Sequence, residues 1–191
     1  MLEPRLDPDE IEFLKNEMSS LKPGTKMVEW GSGGSTLMFL PHFTEGQFIS
    51  VEHNKEWYDK VNTAIEQSDI PPAALRNFSY CWRPPSYDGK SVDLRFYGYG
   101  VPYEENPCFA ANYINPEASG VKVFDADVFF VDGICRGAIL ATIKAIASSP
   151  GATVFIHDYY GSEKREDWYN WASGLYKRVE KVGDTLARLY L

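Results

Sequence analysis

Short apolar runs alternate with amphipathic stretches along most of the chain. The runs with strand character are Lys26–Trp30, Gln47–His53, Asn77–Trp82, Asp127–Val131 and Ala152–Ile156. The last two are almost wholly apolar, which is typical of parallel strands buried on both faces of a sheet. Two further short strands, with a turn at Gly183-Asp184, are predicted within Lys177–Leu191. This alternation predicts an α/β fold: a mostly parallel sheet between two helical layers, closed by an antiparallel hairpin.

Helices are predicted in most of the intervals between these strands. Asp7 has the character of an N-cap, with Pro8 in the first turn and Glu10 closing a capping box. The other helices predicted from apolar spacing are Ser35 to about Phe43, the stretch that follows the cap Asn54, Ile134–Ser149 and Lys164–Tyr176.

One long connection, at about 83–126, has no clear periodicity. Connections of this length are usually functional, so we treat residues 1–191 as a single domain with an aromatic-rich insert. Its tyrosines either line an acceptor pocket or form a satellite hydrophobic cluster. They are Tyr87, Tyr97, Tyr99, Tyr103 and Tyr113.

Composition restricts the classes of partner. The net charge is −8, with 19 basic residues scattered among 27 acidic ones, so we expect no nucleic-acid partner and no anionic membrane surface. No apolar run is long enough to span a bilayer, and the first residues lack the pattern of a signal peptide. The three cysteines form no CxxC pair, which favours reduced thiols and a cytoplasmic location.

A glycine loop, Gly31-Ser32-Gly33-Gly34, lies between the first predicted strand and the next helix. Glycine lets a backbone approach a ligand closely, and the free N–H groups of a helix start attract negative charge. Glu52 follows about 20 residues later at the end of the second strand, where a carboxylate can accept the hydroxyls of a ribose. The alternative is that the glycines only make a tight turn.

Two features of the loop distinguish between cofactors. Thr36 occupies the position of the third glycine of a dinucleotide fingerprint, so that pattern fits poorly. The segment from Glu29 to Ser35 instead resembles motif I of class I S-adenosylmethionine (SAM)-dependent methyltransferases. The resemblance implies a Rossmann-like, three-layer fold with a seven-stranded, mostly parallel sheet. It also implies a set of residues around SAM, namely Glu29, Gly31, Ser32, Gly33, Glu52, His53 and Asp132, although His53 could equally be a surface residue.

Polar residues follow the two most apolar strands. Asp132 follows the first, and His157 and Asp158 follow the second. The resemblance extends to small metal-dependent O-methyltransferases, which carry acidic residues at these places. It implies that the three side chains are catalytic and either bind a divalent cation such as Mg²⁺ or provide a general base. Positioning alone is a third possibility. His157 could instead be a core histidine, and Asp132 could cap the following helix.

Arg136, just beyond Asp132, is placed either to orient an acidic acceptor or to pair with a nearby acid. Together these residues predict SAM-dependent O-methylation of a small molecule or sugar. The alternatives are a SAM-binding protein without turnover and a related nucleotide-binding enzyme with a Rossmann-like fold.

Overall fold

The computed structural model describes residues 2–87, 90–91, 110–160 and 169–191, with the backbone alone at 86–87, 90–91 and 118–119. The strands in this part of the chain are β1 (Lys26–Trp30), β2 (Gln47–Glu52), β3 (Phe78–Trp82), β4 (Ser86–Tyr87), β5 (Lys90–Ser91), β6 (Val128–Val131), β7 (Thr153–Ile156), β8 (Arg178–Val182) and β9 (Leu186–Tyr190). The helices are α1 (Pro8–Ser19), α2 (Gly34–Phe39), α3 (Lys55–Glu66), α4 (Pro72–Arg76), α5 (Ala111–Ile114) and α6 (Arg136–Ile146). None of these helices has the length and hydrophobicity needed to cross a bilayer.

The predicted seven-stranded sheet is confirmed, with the order β3-β2-β1-β6-β7-β9-β8. The first five strands in this order are parallel, and β9 runs antiparallel to both of its neighbours, β7 and β8. Trp30 pairs with Val51 on β2 and with Val131 on β6, and Val131 pairs with Ile156 on β7. This register brings the carboxyl ends of four strands to one edge of the sheet.

Helices cover both faces of the sheet, because the strand side chains alternate between two apolar clusters. On one face, α1 to α4 pack on a cluster that includes Met27 and Phe130. On the other, α5, α6 and the helical residues 169–173 pack on a cluster that includes Val28 and Phe129. These contacts form the predicted three-layer arrangement.

Several helix boundaries differ from the prediction. The helix expected to reach Phe43 ends at Phe39 and continues as a 3₁₀ turn over Leu40–His42, since Pro41 has no N–H to extend the α-helical ladder. The helix expected from Ile134 begins at Arg136, because Cys135 has a left-handed backbone with φ 55°.

The remaining predictions can be compared only in part. Residues 169–173 of the helix predicted over Lys164–Tyr176 are helical, and its first residues lie outside the described part of the chain. Of the insert, β4, β5, α5 and a 3₁₀ turn at Pro116–Ser119 are described. Tyr97, Tyr99, Tyr103 and Cys108 lie outside that part, and Cys81 and Cys135 are buried.

Candidate active site

The glycine loop after β1 makes a close backbone contact with the loop after β6. Gly31 has φ +88°, a conformation that L side chains rarely adopt. A Cβ placed on Gly31 would lie 2.6 Å from the backbone nitrogen of Gly133. A side chain at position 31 would therefore push apart the two loops that form this end of the sheet.

Glu29, the acid before the loop, is completely buried beneath it. Its Oε1 accepts a hydrogen bond from Ser35 Oγ, and its Oε2 accepts bonds from Thr36 Oγ1 and Ser50 Oγ, each at 2.6 Å. Burial outweighs these three donors and raises the pKa of Glu29 to about 7. Through these hydrogen bonds the buried side chain of Glu29, on β1, connects the start of α2 and strand β2.

Glu52, the predicted ribose acceptor, lies at the same edge and is 2% exposed. Ser32 donates to its Oε2 from both the backbone N and the hydroxyl, each at 3.0 Å. The backbone N–H groups of His53 and Asn54 donate to its Oε1 at 2.8 and 2.7 Å. Burial alone would raise the pKa of Glu52, but the hydrogen bond and charge of His53 and these amides hold it below the usual value.

Two aromatic residues hold the loop from outside. Trp57 Nε1 donates to the Ser32 carbonyl at 2.6 Å, and the Tyr80 hydroxyl lies 2.6 Å from Ser32 Oγ. Neither Trp57 nor Tyr80 is among the site residues predicted from the sequence. The position of Trp57 one turn after the cap Asn54, and therefore beside the end of β2, was the only available signal.

The predicted cluster after β6 and β7 is assembled in the structure. His157 Nδ1 lies 2.7 Å from Asp132 Oδ1. One potential ligand atom from each of Asp132, His157 and Asp158 falls within 4.8 Å of the other two. Asp158 has φ 56°, and Cys135 on the neighbouring loop has φ 55°. Left-handed non-glycine residues are uncommon and concentrate at functional sites, so two of them here single out this edge.

Arg136 connects the two loops that carry the cluster. Its Nε donates to the Gly133 carbonyl at 2.8 Å, and its terminal nitrogens donate to the carbonyls of Asp132 and His157. The guanidinium also forms ion pairs with Asp132 at 3.2 Å and Asp158 at 3.4 Å. Arg136 therefore pairs with nearby acids, as one of the two sequence interpretations had it. Asp132 makes these contacts and does not cap α6, whose N-cap is Cys135.

The charges around His157 favour proton uptake. Burial alone would lower its pKa, but the hydrogen bond to Asp132 and the charges of Asp132 and Asp158 raise it above the ordinary 6.5. With Asp132 at Nδ1, the neutral ring carries its free lone pair on Nε2. A divalent cation fits this donor set poorly, because the positive charge of Arg136 already lies against both carboxylates.

Solved structures share this arrangement of strands and helices. A methyltransferase-like protein from Silicibacter pomeroyi aligns with 98% of this chain and 87% of its own, at TM-score 0.71 and 19% identity. This is the Rossmann-like methyltransferase fold. Cofactor-bound Rv0187 from MTB aligns with 98% of this chain and 82% of its own, at TM-score 0.64 and 13% identity.

A third structure comes from Streptococcus mutans, is provisionally named a methyltransferase and was solved in complex with S-adenosylhomocysteine (SAH). It aligns with 96% of this chain and 98% of its own, at TM-score 0.58 and 12% identity. Neither the protein-family models nor the curated proteins give a match. The methyltransferase fold is therefore established by shape rather than by sequence identity.

Proposed function

We propose that the protein is a SAM-dependent methyltransferase acting on an oxygen of a small molecule or sugar. The observation that carries the proposal is the Asp132–His157 pair, which lies at the carboxyl edge of a methyltransferase-fold sheet beside the glycine loop and Glu52. In open parallel sheets this edge is where ligands bind.

The residues at this edge fit SAM. Gly31 and Gly33 provide two backbone positions without side chains, and Glu29 holds the first turn of α2 directly after them. We propose that ribose hydroxyls displace the Ser32 hydroxyl from Glu52, since Ser32 Oγ keeps Tyr80 as a second partner. His53, whose Nδ1 lies 2.9 Å from Glu52 Oε1, then flanks the nucleoside, and Asp132 borders the cofactor site beside Gly133.

Bound SAM supplies a methyl group already activated by its positively charged sulfur. The chain then has two tasks, which are orientation and proton removal. His157 accepts the acceptor's hydroxyl proton at Nε2 as the oxygen attacks the methyl carbon and the carbon–sulfur bond breaks. Asp132 holds Nδ1 and stabilises the imidazolium, and Asp158 together with Arg136 fixes the loop around them.

The test compares two histidine variants in transfer of labelled methyl groups from SAM to a panel of catechols and sugars. His157→Gln should lower transfer by about 10²-fold or more, the usual contribution of a general base, with SAH affinity unchanged. His42→Gln is the matched control, because His42 lies beside Thr25 and Gly46 at the opposite edge of the sheet. Full turnover by His157→Gln would refute the role of His157.

Two further readouts separate the mechanisms. A base must be deprotonated, so kcat/KM should fall as the pH drops through the raised pKa of His157. EDTA should leave transfer unchanged, whereas inhibition that Mg²⁺ reverses would indicate the metal-dependent alternative. A protein that binds SAH but transfers nothing, with any acceptor tested, would be a SAM-binding protein without turnover.

A further inference from the structure

One tyrosine of the insert lies between the glycine loop after β1 and the loop after β6, which border the candidate cofactor site. Tyr113, on α5, is 0% exposed. Its backbone carbonyl accepts a hydrogen bond from Trp30 Nε1 at 2.8 Å, which anchors the insert to the last residue of β1. Its ring contacts that of His53 edge to face, with centroids 5.3 Å apart.

The hydroxyl of Tyr113 occupies the space left by the glycines. A Cβ placed on Gly133 would lie 1.8 Å from Tyr113 Oη and 3.2 Å from the backbone nitrogen of Gly31. Tyr113 Oη is therefore at the seam between the glycine loop and the loop that carries Asp132.

Within the described part of the chain, Tyr113 Oη has no hydrogen-bond partner, although it is fully buried. A buried polar group without a partner destabilises the folded state, and such groups are rare in folded proteins. Burial and the charge of Glu52 raise the pKa of Tyr113 well above 10, with Cys135 and Asp132 adding to the shift and Arg136 opposing it. The hydroxyl therefore stays protonated, and it is a donor that lacks an acceptor.

We propose that Tyr113 is the contact between the insert and the cofactor, donating its O–H to an acceptor oxygen of bound SAM. The acceptor is either the carboxylate or a ribose oxygen, the two kinds of exposed oxygen that SAM offers. This inference rests on the proposed function. It also gives the insert a defined task, since a residue of the insert completes the cofactor site.

The test is calorimetric titration of Tyr113→Phe with SAH, beside thermal unfolding of the ligand-free protein. The variant keeps the ring and removes only the unpaired hydroxyl, so its Tm should equal or exceed that of the wild type. Its Kd for SAH should rise about fivefold if the lost partner is a ribose oxygen and about tenfold or more if it is the carboxylate. Repeating the titration with 5′-methylthioadenosine, which lacks the amino-acid group, separates these two acceptors.

Tyr176→Phe is the matched control. The Tyr176 hydroxyl donates a hydrogen bond to the Leu140 carbonyl at 2.8 Å. Tyr176→Phe should therefore have a lower Tm than the wild type and the same Kd for SAH. Equal SAH affinity in Tyr113→Phe and the wild type would overturn the inference and leave the proposed function intact. If Tyr113→Phe binds SAH as the wild type does and Tyr113→Ala binds SAH more tightly, the tyrosine ring merely occludes the site. A folded wild type that binds no SAH would overturn the inference and the proposed function together.

Discussion

The buried carboxylate of Glu29 predicts a specific pH dependence of stability. Its pKa is raised from 4.5 to about 7, chiefly by burial. The folded state therefore holds this proton more tightly than the unfolded state. The contribution of this proton to the free energy of unfolding is fully present below about pH 4.5 and is lost as the pH rises through about 7. The whole shift corresponds to about 3 kcal/mol, at about 1.4 kcal/mol per pKa unit.

Glu29→Gln removes the titration and keeps the shape of the side chain. The amide oxygen can accept from Thr36 and Ser50, and the hydroxyl of Ser35 can turn to accept from the amide nitrogen. Because the chain's isoelectric point is about 4.9, the measurement belongs at higher pH. Between pH 5.5 and pH 8 the wild type should lose about 2 kcal/mol that the variant retains.

Urea unfolding of the wild type and Glu29→Gln at several pH values across this range measures the difference directly. Glu66→Gln, an exposed carboxylate on α3, is the control, and its profile should run parallel to that of the wild type. If the profiles of Glu29→Gln and the wild type are also parallel, Glu29 does not titrate as its burial requires, and the reasoning is refuted.

Two further substitutions test how the loop and the hairpin are held. Fully buried Glu10 accepts hydrogen bonds from the backbone N–H groups of Thr185 and Leu186 at 2.7 and 2.8 Å. Glu10→Ala should therefore lower the free energy of unfolding in urea by about 2–4 kcal/mol. A loss below about 1 kcal/mol would contradict this expectation. Gly31→Ala should abolish SAH binding in calorimetry, since its Cβ would collide with Gly133; wild-type affinity in this variant would show that the loop contact is dispensable.

The central sheet could be predicted from sequence because its strands are buried on both faces. Asp127–Val131 and Ala152–Ile156 are almost continuous apolar runs, and the structure confirms β6 and β7 within them. The convergence of Glu52, Asp132 and His157 at one edge followed from the same inference, since parallel strands end together. The capping contact of Glu10 with Asp7 was also predictable, as it depends on residues three apart.

The rest of the site depends on contacts between residues far apart in the sequence. The periodicity of α6 indicates a helix, but not that its first residue, Arg136, reaches the carbonyl of His157 across two loops. The motif at Glu29 suggests a residue near the cofactor, whereas the structure buries it under three hydroxyls. Tyr113 lies in an insert without periodicity, so its place against Gly133 follows only from tertiary packing.

Calorimetric titration of the wild-type protein with SAH tests the central claim most directly. The proposed methyltransferase should bind one SAH per chain, and the ligand should raise the Tm of a cooperative unfolding transition as linkage requires. Protein that unfolds cooperatively, yet shows neither heat of binding nor a Tm shift with SAH or SAM, would contradict the account.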